Sequence, residues 1–430
     1  MKILKYITMR KFTILMKRLY QFLFPPAKTG IIAFPALPET VKPVSVKPKS
    51  ASKEEGLLTQ VENYLQDQYE FRFNSLSEVT EFRRKKNLPE LFTGVNQRVL
   101  NGLCLELHRY GIDCWDRDVS RYINSTVIPA YHPIQEYMKC LPQWDGIDRV
   151  TELAKRVSDK DVWIRGFHRW LLGVAAQWSG INSLHANSVA PVLISTRQGL
   201  HKSTFCKLLV PEILQNYYTD SFDLSSVSGA EQKLSLFGLI NLDEFDKFSA
   251  KKMALLKNLM QMAGLNIRKA YKKNYSSLPR IASFIATSNQ RDLLTDPSGS
   301  RRFLCVDIDK KIDCSPIDHL QLYAQLKTEL VNGERYWFTN EEEAEIMTNN
   351  APYRKRGMEE DLFYQCFRLP EKGEEGQLLS ATEIYSYMKE KQPAVMREVS
   401  INMFGRLLTT IGLHRIHTRR GSRYHLVTLK

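Results

Sequence analysis

The stretch Ala190–Phe205, reading APVLISTRQGLHKSTF, constrains this chain more than any other part of it. A buried strand runs into a turn carrying Gly199, and Lys202-Ser203-Thr204 then open a helix. A junction of this kind aims backbone N–H groups and a helix N-terminus at an anion. The lysine reaches the β- and γ-phosphates and the hydroxyl ligates magnesium. The segment therefore reads as a Walker A loop for ATP with Mg2+. Thr196, Gly199, His201, Lys202, Ser203 and Thr204 are its candidate nucleotide contacts, and Ser203 is a candidate magnesium ligand. The match to GxxxxGK(S/T) is imperfect, because Thr196 and His201 stand where the motif has glycines. Each missing glycine removes freedom at positive φ or adds a Cβ where backbone approaches phosphate. Alone, the loop reads equally well as an ordinary strand-to-helix turn.

Three further elements follow in order. Leu239–Asp246, LINLDEFD, is an apolar strand ending in Asp243-Glu244. This suits a Walker B site, with Asp243 holding magnesium and Glu244 polarising the attacking water. Ile281–Asn289, IASFIATSN, ends in Thr287-Ser288-Asn289, where Asn289 can orient that water beside the γ-phosphate. After the turn in DPSGSRRF, Arg301 or Arg302 can act as an arginine finger on a neighbouring subunit's nucleotide. Each piece is common by itself, and a strand that ends in surface acids needs no function. Four pieces in this order predict a P-loop NTPase.

Between residues 188 and 310 short apolar runs alternate with helical ones, the pattern of an α/β core with a largely parallel sheet. At about 150 residues per domain, 430 residues allow two to three domains. We expect a basic, Pro-rich arm over 1–55, a helical N-terminal domain over 56–180 and the NTPase core over 181–312. A helical connector over 313–372 and a small domain over 373–430 complete the order. The helix from Asp161 to Trp178 places Trp163, Phe167, Trp170, Leu171, Val174 and Trp178 at three- and four-residue spacings, a core stripe rather than a base-stacking platform. The seven cysteines are odd in number, widely spaced and without a CxxC, which argues against a disulfide framework or zinc ribbon and for free thiols in a reducing cytoplasm.

The formal net charge of +14 favours a polyanionic partner, and its distribution is uneven. The first fifty residues carry ten lysines and arginines against Glu39 alone. That region reads as a mobile basic arm, a peripheral membrane helix or an over-extended start, and no apolar stretch supports stable membrane insertion. Gly264–Arg280, GLNIRKAYKKNYSSLPR, interleaves Arg268, Lys269, Lys272, Lys273 and Arg280 with Tyr271 and Tyr275 and has no acid. Cations there would neutralise phosphates and tyrosines would stack on bases; a solvated basic turn is the plainer reading. Towards the C-terminus, Ser380-Ala381-Thr382-Glu383 reads as a capping box. Ile401, Phe404, Leu407, Leu408 and Ile411 follow at helical spacing, and HRIHTRRGSRYHLV alternates around Gly421 like a hairpin. Helix, helix and basic hairpin suggest a winged helix, with Arg415, Arg419, Arg420 and Arg423 as DNA contacts. A subunit- or partner-docking module is the alternative.

From about Pro129 to Ile308 the chain resembles the virulence-associated protein E family, whose core is similar to superfamily 3 helicases and phage-type primase–helicases. Tyr131-His132-Pro133, Glu136-Tyr137, Trp144-Asp145-Gly146-Ile147-Asp148-Arg149 and Gln198–Phe205 carry the resemblance. So do Asp243-Glu244, the Arg268…Tyr271 pair, Thr287-Ser288-Asn289 and Gly299-Ser300-Arg301-Arg302-Phe303. The resemblance implies an AAA+-like α/β P-loop NTPase core of the superfamily 3 type, flanked by a helical N-terminal domain and a small winged-helix-like α+β domain. It implies a DNA-associated ATPase of phages, plasmids or genomic islands, working on single-stranded or forked DNA as a homo-oligomeric ring such as a hexamer. In such enzymes a hairpin placed like Gly264–Arg280 lines the central channel. Two departures stand out: His201 replaces the usual glycine before the lysine, and Asn266 stands where an acid often precedes the Arg…Tyr pair. No paired Asp-x-Asp primase signature is present, so priming would need a primase in trans. The leading expectation is an ATP-driven helicase for a mobile element. The alternatives are a non-hydrolysing, nucleotide-switched DNA-binding protein and a sequence-specific replication initiator or regulator.

Overall fold

The structure, a computed structural model, describes residues 56–87, 91–181, 185–267, 276–294, 300–371, 373–419 and 421–429. The basic arm expected over 1–55 lies outside the described residues. After the helix Leu57–Gln68, β1 (Tyr69–Asn74) pairs antiparallel with β2 (Val79–Arg84). With β3 (Thr93–Gly94) and β4 (Ala130–Tyr131) they form a sheet of order β3-β2-β1-β4. The N-terminal domain is therefore mixed rather than helical. In β1, Tyr69 and Phe71 are buried while Glu70 is exposed, the two-residue period of a half-buried strand. That period lasts only six residues between helical segments, too short to outweigh them in a sequence reading. The helices Gln97–Arg109 and Asp116–Ile123 follow β3, and Tyr122 meets Phe71 edge-on with ring centroids 5.9 Å apart.

The larger sheet is built from β5 (Ala190–Ile194), β6 (Tyr218–Thr219), β7 (Leu239–Leu242), β10 (Ser283–Ser288) and β11 (Phe303–Asp307). Its order is β11-β5-β10-β7-β6 and every pairing is parallel, as the alternation predicts. Every residue of β5, β7 and β10 is buried, which is why these strands read as mostly apolar runs rather than alternating ones. Between β7 and β10, β8 (Gly264–Ile267) and β9 (Ser276–Pro279) form a separate antiparallel pair.

The helix Asp161–Ser179 lies against this parallel sheet. Its stripe from Trp163 to Trp178 is buried, so the core reading holds. Trp170 Nε1 donates to the Phe284 carbonyl of β10 at 3.0 Å, and Trp178 Nε1 donates to the Gly238 carbonyl at 3.1 Å. Each large side chain buried here contributes about 1.5–3 kcal/mol. The expected boundary near residue 181 thus falls between this helix and the sheet it covers. The connector helix His319–Val331 packs into the same core, with Tyr323 stacked on Trp178 at 4.9 Å.

The last segment has its own core, made of Leu362, Phe363, Phe367, Ile384, Met388, Phe404, Leu408, Tyr424 and Leu426. It begins with the helix Met358–Cys366, ahead of the expected boundary at 373. β12 (Phe367–Arg368) and β13 (Gln377–Leu379) lead to the helices Ala381–Lys391 and Ile401–Thr410, then to β14 (Ile416–Thr418) and β15 (Gly421–Thr428). β15 pairs antiparallel with the other three strands. The capping box forms between Ser380 and Glu383, and the hairpin turns at Gly421, φ +94°. All seven cysteines are free, and among the described residues no helix is long and apolar enough to cross a membrane.

Candidate nucleotide-binding site

In a parallel sheet the loops at the carboxyl ends of the strands open the crevice where ligands sit. The neighbouring order of β5, β10 and β7 therefore brings together three sequence segments spaced across a hundred residues. After β5 the chain turns through Gly199 at φ +76° and His201 at φ +65° into the helix Lys202–Leu208. His201 thus holds the backbone conformation that its glycine counterpart would adopt without strain. For an L-residue the left-handed region costs about 1–2 kcal/mol. Gly199 has no atom near a notional Cβ, so its constraint is the dihedral alone.

Lys202 Nζ donates to the Ser195 carbonyl and to Asn289 Oδ1, both at 2.9 Å. Burial lowers its pKa from 10.5, opposed by Asp243 and Asp246. Thr287 Oγ1 donates to Asp243 Oδ1, and Ser203 Oγ lies 3.4 Å from the same oxygen. Lys202, Ser203, Asp243 and Asn289 thus share one sheet end, linked by contacts among themselves and with Thr287. Thr196 is exposed in a cleft with Arg197, Arg291 and Asp307, and Thr204 is exposed on the first turn of the helix.

Asp246 is the residue that sequence reasoning missed. Its Oδ1 accepts from Ser288 Oγ at 2.9 Å and from the Asn289 backbone N–H at 3.2 Å, fixing the residue that holds Lys202. The cause lies one turn earlier. Glu244 is in the left-handed region, φ +51°, so the chain doubles back and returns Asp246 to the sheet end. Glu244 itself is exposed and pairs with Lys247 at 2.7 Å. The only legible signal was a third acid in LINLDEFD.

The arginines are distributed differently. Arg301 lies on a short 3-10 turn and pairs with Glu343 of its own chain at 2.7 Å. Arg302, on the same turn, is half-buried. Arg268, Lys269, Tyr271, Lys272, Lys273 and Arg420 lie outside the described residues. Arg280 requires a correction. Far from facing nucleic acid, it is 0% exposed, and its guanidinium donates to the carbonyls of Ala282, Leu259, Met260, Met262 and Asn187 at 2.5–3.4 Å. Burial pushes it down to about 9. Arg415 and Arg419 are exposed on the C-terminal hairpin, whereas Arg423 is held by Glu383 at 2.6 Å and by the Leu378 carbonyl at 3.2 Å.

Trp144–Arg149, a distinctive run in the sequence, forms a structural turn. Arg149 grips the Asp145 carboxylate with two bonds of 2.7 Å and pulls its pKa down to about 2. Asp148 caps the helix Arg149–Lys155 by accepting from the Thr151 N–H at 3.1 Å. His132 likewise caps the helix Pro133–Lys139, its Nδ1 accepting from the Gln135 N–H at 3.2 Å.

The cluster lies in a mixed α/β protein, at one end of its parallel sheet. Residues 138–355 match the virulence-associated protein E-like domain, slightly more than half of the chain, and the protein belongs to that family. Residues 356–426 match a domain of unknown function described from B. Theta (DUF3874). That match opens close to the start of the separate C-terminal core. No curated protein matches the chain. Among solved structures, the apo NrS-1 C terminal region (305-718) is 12% identical with a TM-score of 0.41, covering 88% of this chain and all of that one. Its A form is 16% identical with a TM-score of 0.36, covering 70% of this chain and 68% of that one.

Proposed function

We propose that the protein is an ATP-dependent, DNA-associated motor, a helicase serving replication of a phage, plasmid or genomic island. The observation that carries this reading is the convergence of Lys202, Asp243 and Asn289 at the carboxyl ends of β5, β7 and β10. The donor set fits Mg-ATP: an ammonium half-buried among carboxylates for phosphate oxygens, and hard oxygens on Ser203 and Asp243 for magnesium. Bound Mg-ATP would supply the phosphoryl group whose transfer to water drives movement. The chain's own residues do the rest. Lys202 binds phosphate and Asn289, braced by Asp246, orients the lytic water. Glu244 would accept that water's proton once it leaves Lys247, and Arg301, once it leaves Glu343, or Arg302 would reach a neighbouring subunit.

The strand order and helix spacing of the C-terminal unit support a winged helix that holds DNA through Arg415 and Arg419. His201 favours a second reading, in which nucleotide binds as a switch without turnover, because its Cβ and left-handed strain both sit beside the phosphate cradle. ATP turnover measured with and without single-stranded DNA separates the two. The motor reading expects DNA-stimulated hydrolysis, loss of nucleotide binding in Lys202→Ala, and trapped ATP in Glu244→Gln. ATP binding with no turnover under either condition supports the switch.

A further inference from the structure

A second cluster stands away from the nucleotide site, at the end of the helix Gln97–Arg109. Cys104 and His108 are one turn apart and share a helix face. The chain then turns through Gly111, φ +94°, and brings Cys114 back beside them. The ligand atoms of the three residues all lie within 4.8 Å of one another. We propose that Cys104, His108 and Cys114 form a three-ligand binding site for a zinc-type transition-metal ion, its fourth corner open to solvent.

The distances suit such an ion. Cys104 Sγ lies 3.9 Å from His108 Nε2. In a tetrahedral zinc site, with Zn–S about 2.3 Å and Zn–N about 2.0–2.1 Å, a sulfur and a nitrogen ligand stand about 3.6 Å apart. A side-chain adjustment of a few tenths of an ångström closes the gap. Asp113 Oδ1 is 3.8 Å from the same imidazole nitrogen but points into solvent outside the three-ligand set, which leaves the remaining corner to water. Two thiolates and an imidazole select a borderline-soft ion and disfavour calcium or magnesium, which take oxygen ligands.

The surroundings give the site a closed wall and an open mouth. Cys114 is 2% exposed, whereas His108 is exposed, so an ion enters past the imidazole. His108 Nε2 now contacts the Cys114 carbonyl at 2.5 Å, and Cys104 Sγ donates to that carbonyl at 3.3 Å. Coordination exchanges both contacts for metal bonds and releases two thiol protons to solvent. A disulfide would use Cys104 and Cys114 alone, whereas an ion accounts for the convergence of all three ligands. Its effect would be to tie the helix end to the segment leading into the helix Asp116–Ile123. The sequence hides this set, because Cys-x3-His-x5-Cys has neither a CxxC nor the usual zinc-finger spacing.

The test uses the full chain, stripped of metal under reductant and titrated with Co2+ and then Zn2+. One cobalt per chain with a thiolate-to-cobalt absorption band, displaced by one zinc, is expected. His108→Ala, at an exposed position, and Cys104→Ser should each weaken binding at least tenfold, whereas Cys140→Ser, at an exposed thiol elsewhere, should not. Absence of the band in the unmodified chain overturns the proposal, as does a band that survives in both ligand variants. A Cys104–Cys114 disulfide that persists with reductant and zinc also overturns it.

Discussion

Lys202 and Arg280 are both cations drawn into the parallel-sheet domain, and their surroundings give them opposite work. Lys202 sits at the carboxyl end of β5, half-buried, with Asn289 holding its ammonium and Asp243 and Asp246 nearby. Its charge is balanced by side chains at the open end of the sheet. Arg280 directly follows β9 in the chain and is fully buried, with its donors spent on backbone carbonyls from four segments. Those carbonyls belong to the end of the helix Ala250–Gln261, the residues just after it, the start of β10 and the approach to β5. The fork of the guanidinium can satisfy several such acceptors at once, which a lysine cannot do. One cation is shared between a carbonyl and a side chain at the sheet end; the other is spent on buried carbonyls alone. A positive charge in a basic stretch is therefore no guide to its role until its partners are known.

The largest expected effect comes from breaking the structural member of this pair. Arg280→Met should lower global stability by about 3–5 kcal/mol, because several buried carbonyls lose their donor together. Urea unfolding reads this directly, and Arg280→Lys should recover only part of it. An Arg280→Met protein of unchanged stability would make the cage irrelevant.

Lys202→Ala should do the reverse, cutting ATP turnover by about 10²–10³-fold while leaving unfolding nearly unchanged. If both variants lose stability and turnover alike, the division between the two cations fails.

His201→Gly sharpens the comparison on the site side. Removing left-handed strain should stabilise the fold by up to about 1 kcal/mol and tighten nucleotide binding, both read as shifts in thermal unfolding with and without ATP.

The smallest expected effect is a pH slope at His132. Burial holds its folded pKa below 6.5, so the unfolded chain takes up the proton first as pH falls. Stability should therefore decline below about pH 6.5, down to the folded pKa, and rise again on returning upward. His132→Asn keeps a capping oxygen without a titrating ring and should flatten the thermal-unfolding midpoint against pH.

Several elements were legible because their causes are local. Apolar runs such as Val192-Leu193-Ile194 mark strands buried on two faces, and the Trp163–Trp178 spacing marks a helix face whatever it packs on. The Ser380–Glu383 capping box and the Gly421 turn depend on only a few neighbouring residues. β1 and β2 escaped, because a six-residue alternation is a weak signal between longer helical ones. The contacts of Asp246 with Ser288 and Asn289 escaped as well, because they depend on the left-handed conformation of Glu244 just before it.

The sequence by itself determined the alternating α/β order, the strand–turn–helix that presents Lys202, and the short turns closed by their own side chains. Those features rest on periodicities and dihedral preferences that act within a few residues. Tertiary structure alone decided that Arg280 is caged rather than exposed, that Asp246 braces Asn289, and that Cys104, His108 and Cys114 meet. The first two depend on which distant segments the sheet order brings within bonding distance, and the third on the turn through Gly111 that folds Cys114 back onto the helix end; partners fixed in these ways leave no mark that a standard motif spacing would show.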